Sequence, residues 1–232
     1  MKTIEKNEVI AIIPAKGYSR RLPNKNIMVF NGKPMLSWSI EAALGSEFIK
    51  RTFVSSECED IISVARSYGV DIINRPKKLS GDTSSSESVI LHALNHFNKN
   101  EKYLPRYFIL LQPTSPLRSS LDIDNAFKCF FESKANALIS GYEIKFDPFK
   151  SLQIDNSGFL NRPKISGKRF LKYFYQNGAI YINKTNIFMK SLNLFPSVTV
   201  PFFMDKSKSI DIDFKEDFIK ASKYQKKIIN IK

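Results

Sequence analysis

The 232-residue chain is 43% hydrophobic and 25% charged, the mix of an ordinary globular protein, with length for one domain, or one domain plus an insertion, around a sizeable core. No run approaches the ~18 apolar residues of a membrane span, and acidic residues ahead of the first apolar run, with no small-residue cleavage site, argue against a signal peptide. With 36 Lys and Arg against 22 Asp and Glu the net charge is +14, which suits a nucleic-acid binder, an enzyme of polyanionic substrates, or a solvated lysine-rich surface.

In chain order, residues 9–15 (VIAIIPA) are apolar on both faces, which predicts a central parallel strand. Residues 34–46 have helical spacing with a proline in the first turn. Further strands are expected at 51–55, 70–73, 107–112 and 137–140. They alternate with helices at 60–68, 84–97 and 121–132, the second opened by Ser/Thr capping. From 141 to 175 the pattern changes: Gly158, Pro163 and Gly167 break short mixed segments, and cations alternate with aromatics in KRFLKYFY (168–175). Alternation resumes with a strand at 179–182 and ends with a helix at 214–224. The expected fold is α/β, a doubly wound, mostly parallel sheet. Residues 1–140 and 176–232 form its main domain, and 141–175 form an insertion.

Cys58 and Cys129 lie far apart in unrelated contexts, which fits incidental thiols in a reducing cytoplasm. A zinc site would need both to converge with His92 and His96. The lysines are spread along the chain and no helix-turn-helix, zinc-finger or RNA-recognition pattern occurs.

Two groups of residues carry chemistry. Ligands of open α/β sheets bind beyond the carboxyl ends of the strands, where the loop IIPAKGYSRRLPNKNI (12–27) follows the first strand. Its Lys16, Arg20, Arg21 and Lys25, with backbone N–H groups near Gly17 and Ser19, suit a triphosphate. The spacing is neither GxGxxG nor GxxxxGK[ST], so a solvated basic turn is the alternative. The second group is SIDID (209–213). In a strand, positions i and i+2 share a face ~6.6 Å apart, which sets Asp211 beside Asp213 with Ile210 and Ile212 behind them. Two like charges on one face need a cation, and hard oxygen donors without His or Cys favour Mg2+ or Mn2+. A solvated strand end, or a cap for the helix at 214, is the alternative.

Five motifs in order give the chain a family resemblance: IIPAKGYSRRLPNKN (12–26), RPKKLSGDTSSSES (75–88), LLQPTSPLR (110–118), NGAIYI (177–182) and SIDID. Over nearly its whole length the chain resembles the bacterial cytidylyltransferases that activate sialic acids, whose opening loop reads IPARxxSKxxPxKN. The Kdo-loading relatives differ in the opening loop and central segment, and the pseudaminic-acid branch usually lacks QPTSPLR.

The resemblance implies that Lys16, Ser19, Arg20 and Lys25 hold the CTP phosphates, with Ala15 in the same nucleotide-binding set and Lys25 stabilising the transition state. It implies that Asn26, Arg75 and Ser86 contact ribose and cytosine, that Gln112, Asn177 and Tyr181 line the sugar pocket, and that Asp211 and Asp213 bind Mg2+. Tyr181 also reads as core packing. Lys16 stands where the family has arginine and Arg20 where it has lysine, which keeps charge but changes geometry. Tyr18 replaces a small residue. The family's arginine-glutamine pair ahead of NGAIY is not matched, and Lys168 or Arg169 is the nearest cation for the sugar carboxylate. Arg21 has no family counterpart and is expected to be a surface residue.

The implied reaction joins CTP to a nine-carbon 2-keto sugar acid of sialic-acid type, with legionaminic, pseudaminic and Kdo acids as alternative substrates. The implied setting is a cytoplasmic homodimer in polysaccharide biosynthesis, with no nucleic-acid or membrane partner. The rival from another class is a basic nucleic-acid-binding protein, which predicts salt-sensitive binding without nucleotide preference.

Overall fold

The computed structural model describes residues 8–81, 83–145, 153–154, 160–161 and 173–229. In chain order the elements are β1 (Val9–Pro14), β2 (Val29–Phe30), β3 (Lys33–Pro34), α1 (Met35–Leu44), β4 (Arg51–Ser56), α2 (Glu59–Ser67), β5 (Asp71–Asn74), α3 (Ser86–Asn100) and β6 (Tyr107–Leu110). They continue with α4 (Ser120–Ser133), β7 (Ala137–Ile144), the short pair β8 (Gln153–Ile154) and β9 (Leu160–Asn161), β10 (Tyr173–Lys184), α5 (Thr185–Ser191), β11 (Thr199–Phe203) and α6 (Lys215–Ile229).

Among the described residues seven strands form one sheet in the order β11-β7-β10-β6-β1-β4-β5. β1 runs parallel to β4 and β6, β4 to β5, and β11 to β7, while β10 is antiparallel to both of its neighbours. This is the doubly wound, mostly parallel sheet expected from alternation. The two-sided apolar character of β1 has a direct consequence. Val9, Ala11 and Ile13 pack with Leu36 and Ile40 of α1, Ile61 of α2 and Phe127 of α4 on one face. Ile10 and Ile12 pack with Ile90, Leu94 and Phe97 of α3 and Phe188 of α5 on the other. Each such large apolar side chain contributes ~1.5–3 kcal/mol on burial.

A third cluster sits at the carboxyl end of the sheet. Phe30, Met35, Leu117, Ile210, Ile212 and Ala221 are buried together, so α6 and the β2–β3 hairpin clamp the 209–213 segment. Asn31 and Ser222 exchange hydrogen bonds of 3.1 and 2.6 Å across that contact. The ends of the 141–175 stretch are strand: Gly141 to Ile144 pairs with Gln176 to Tyr173, continuing β7 and β10.

Candidate active site

Strand order reverses at β1, whose neighbours β4 and β6 connect away in opposite directions. Such a switch point opens a crevice beyond the carboxyl ends, and a cleft of ≈ 310 Å³ lies there. On one side is the opening loop. Ala15 is buried, its N–H bonded to Ser55 O at 3.0 Å, so it anchors the loop from below. Lys16 and Asn26 line the cleft, and Asn26 Nδ2 donates to Lys16 O at 2.9 Å. Ser19 is buried and Arg20 exposed, and neither belongs to the cleft's lining.

Lys25 opens a 3-10 turn after Asn24, which is left-handed with φ of 55°. That turn aims the lysine inward. Nζ donates to Asp213 Oδ1 at 3.0 Å and to Ile212 O at 3.2 Å, and the side chain is 12% exposed. Arg21 is a surface residue as expected, its side chain 59% exposed, and it also has partners near the site. Its Nη1 meets Asp213 Oδ2 at 2.7 Å and its guanidinium lies 5.3 Å from the Phe214 ring centre. The ring of Phe214 and the carboxylate of Asp213, distant in sequence, draw it toward the site.

Arg75 leaves the end of β5 with its N–H bonded to Ser56 O at 2.9 Å. Ser85 caps α3, its side chain accepting from the Ser88 N–H at 3.2 Å. Ser86, the first residue of α3, lines the cleft with Arg75. A helix N-terminus and a guanidinium both favour an anion or an electron-rich ring edge here.

The floor comes from Gln112, Pro113 and Thr114, which follow β6, and from the 209–213 segment. SIDID is not a strand: it is irregular chain following a 3-10 turn at Lys206–Lys208. The alternation still holds, because burial of Ile210 and Ile212 in the third cluster, with the Ile212 N–H bonded to Thr114 O at 2.8 Å, turns Asp211 and Asp213 into the cleft. Tertiary packing rather than sheet pairing fixes the two carboxylates. Burial raises the Asp211 pKa, and the like charge of Asp213 adds to it, against the opposing pull of a Thr114 hydrogen bond and Lys25. Gln112 also lines the cleft.

Gly178 is where the floor is tightest. Its φ is +73°, and a Cβ there would fall 2.6 Å from Gln112 Oε1, 3.3 Å from Asp211 Oδ2 and 3.5 Å from Ser115 Oγ. Asn177, expected to meet the sugar, is 2% exposed. Its Oδ1 accepts from Ser140 Oγ at 2.6 Å and the Ala179 N–H at 3.1 Å, and its Nδ2 donates to Ser209 Oγ at 2.8 Å. Those bonds tie β7, β10 and the 209–213 segment together. The Tyr181 ring packs in the second core cluster, and burial pushes its phenol up to about 12, helped by the charges of Asp211 and Glu87. Lys168 and Arg169 lie outside the described residues.

Sequence reasoning passed over three residues that organise the site. Arg118, inside LLQPTSPLR, is buried and donates to Ala179 O at 2.7 Å, Ser39 Oγ at 2.6 Å and Gln112 O at 3.4 Å, with burial lowering its pKa to about 9. Gly178 stood inside a quoted motif. Glu57 had no local signal. Among the described residues no group of three or more His, Cys, Asp and Glu is placed to hold a metal. Two cleft-facing carboxylates fit a hard cation that takes its remaining ligands from water and substrate phosphates.

A family model described as Cytidylyltransferase matches residues 10–231. The N-acylneuraminate cytidylyltransferase of Escherichia coli O18:K1:H7 is 32% identical over 227 residues, covering 96% of this chain and 53% of its own length; the chain thus spans about half of that relative. The CMP-N,N'-diacetyllegionaminic acid synthase of Legionella pneumophila is 29% identical over 222 residues, covering 93% of this chain and 95% of its own. A solved structure, CMP:2-keto-3-deoxy-manno-octonic acid synthetase complexed with CTP, superposes with a TM-score of 0.69 at 16% identity, covering 95% of this chain and 99% of that one, a likeness of fold. With the family model spanning nearly the whole chain and the matching fold built around a switch-point cleft, the chain belongs to the cytidylyltransferase family.

Proposed function

We propose that this chain transfers the cytidylyl group of CTP to the anomeric hydroxyl of a nine-carbon 2-keto sugar acid of sialic-acid type, giving the CMP-sugar and pyrophosphate. One observation carries the reading: Lys16, Lys25, Arg75, Gln112, Asp211 and Asp213 line a single cleft at the switch point of the sheet. The relatives named for N-acylneuraminate and diacetyllegionaminic acid support the substrate class.

In this reading Arg75, Asn26 and the start of α3 receive the nucleoside, and Lys16 and Lys25 the phosphates. The anomeric hydroxyl oxygen attacks the α-phosphorus as the bond to pyrophosphate breaks, and its proton is released to solvent water. Negative charge grows on the phosphoryl oxygens, and Lys25, already directed inward, is poised to meet it. Gln112 accepts or donates a hydrogen bond to the incoming sugar without acting as a base. Asp211 and Asp213 would hold a divalent cation, Mg2+ or Mn2+, whose charge would offset that of the phosphates.

We further propose that residues 141–175 form an insertion that packs on a second copy of the chain and brings Lys168 or Arg169 to the sugar carboxylate. Tyr175 and Phe203, at 56% and 54% exposure beside the base of that stretch, support an apolar contact, and β11 is an edge strand among the described residues. The setting we propose is the cytoplasm. No helix among the described residues is long and apolar enough to cross a membrane.

The test is a sugar panel at saturating CTP and Mg2+, read as pyrophosphate release. N-acetylneuraminic or legionaminic acid should give the highest kcat/KM, with pseudaminic acid and Kdo lower. Equal rates with all four, or the highest rate with Kdo, would overturn the assignment of substrate class. Light scattering of the active protein should give a dimer mass, and a monomer across micromolar concentrations would refute the assembly.

A further inference from the structure

Glu57 follows β4 and reaches under the cleft rather than into it. Its Oε1 accepts from the Gly17 N–H at 2.8 Å, while Oε2 accepts from Arg75 Nη2 at 3.0 Å and Ser80 Oγ at 2.7 Å. The pair is withdrawn from solvent, with side-chain exposures of 15% for Glu57 and 4% for Arg75. One carboxylate therefore joins three loops that come from three strand ends: the opening loop after β1, its own after β4, and the turn after β5. The loop backbone is pressed onto the same spot, because a Cβ at Gly17 would fall 2.7 Å from Cys58 Cβ. Burial by itself would raise the Glu57 pKa, yet the Ser80 and Gly17 hydrogen bonds and the Arg75 charge outweigh it and hold it below the ordinary value. The group is thus an anion at neutral pH, neutralised internally and not by a ligand.

Lys16, next to Gly17, and Arg75 both line the cleft. We propose that Glu57 is a positioning residue that sets the spacing between the opening loop and Arg75, and so the fit of the cleft to the nucleotide, without touching substrate. This rests on the nucleotide reading of the cleft given above. An amide at 57 keeps one acceptor oxygen but presents NH2 to either the Gly17 N–H or the Arg75–Ser80 side. It cannot satisfy both, so the two walls lose their common anchor.

The experiment compares the parent with Glu57→Gln by steady-state kinetics and thermal unfolding. The CTP KM should rise tenfold or more while the sugar KM stays within about twofold, because the perturbed contacts all lie on the nucleotide side. A merely structural role would lower the melting temperature and the active fraction, hence kcat, and leave the CTP KM where it was; that result would overturn the proposal. If Glu57→Gln does not fold, Glu57→Asp keeps the charge but retracts it, and the same selective rise in CTP KM supports the proposal while an unchanged KM overturns it. A parent that neither binds nor consumes CTP overturns the proposed function and this inference with it. A parent that does, beside a variant with unchanged CTP KM, overturns the inference alone.

Discussion

Replacing Gly178 by alanine perturbs the cleft by a single methyl group at a position where the distances allow the effect to be worked out. The new Cβ would stand 2.6 Å from Gln112 Oε1, about 0.8 Å inside ordinary contact, so the glutamine must move by a comparable distance. Asp211 Oδ2 at 3.3 Å and Ser115 Oγ at 3.5 Å stop the methyl from escaping sideways. The backbone, at φ of +73°, adds a left-handed penalty of ~1–2 kcal/mol. Misplacement of a positioning group by close to 1 Å costs on the order of 100-fold in rate, or about 2.7 kcal/mol of transition-state stabilisation. Gly178→Ala should therefore lose roughly 100-fold in kcat/KM for the sugar, with the CTP KM little changed. The melting temperature should fall by about 2–8 °C, at 2–4 °C per kcal/mol for a chain of this size. Steady-state kinetics against each substrate and calorimetry check these values. A variant that keeps sugar kcat/KM within threefold would refute the reasoning that Gln112 and Asp211 bound a shared, tightly packed substrate position.

Three other outcomes follow from the same geometry. Lys25→Ala should lower kcat by ~100-fold and raise the CTP KM less, since loss of a transition-state contact appears in turnover, whereas Arg21→Ala, which breaks an exposed ion pair worth ~0.2–1 kcal/mol, should stay within about fivefold; steady-state kinetics in CTP separates them. Because the folded-state pKa of Asp211 is raised, its contribution to stability is full below the unfolded pKa of ~3.9 and is lost as pH rises through the folded value. Asp211→Asn, read by thermal unfolding in chelator at neutral pH and by turnover in Mg2+, should be at least as stable as the parent and turn over ~100-fold more slowly. Ile212→Ala removes a fully buried side chain from the cluster that turns the two carboxylates outward, and should cost about 3 kcal/mol, roughly 6–12 °C in calorimetry.

The parallel sheet was legible because β1 is apolar on both faces and the helices between strands have clear spacing and caps. The cationic loop and the carboxylate pair were legible because each is contiguous in sequence. What escaped depends on long-range packing. The β2–β3 hairpin turns at Asn31–Gly32, a strong hairpin signal, but its strands have only two residues each. In β11 a proline sits inside the run TVPFF, which masks an edge strand. The 209–213 segment has strand alternation without strand pairing, since Ile210 and Ile212 are buried against α6 and the loop after β6 instead. Glu57 and Arg118 act through partners 40 and 61 positions away, a reach that no local pattern reports, and the burial of Asn177 was not legible because a buried amide and an exposed one look alike in sequence.

The most direct test of cytidylyl transfer is pyrophosphate release measured with each of CTP, UTP, ATP and GTP, in Mg2+, with and without a sialic-acid-type sugar, and with the product weighed by mass spectrometry. The account predicts release only with CTP and sugar together, and a product whose mass is that of CMP joined to the sugar. Release that ignores the sugar, or that proceeds equally with the other nucleotides, would contradict it.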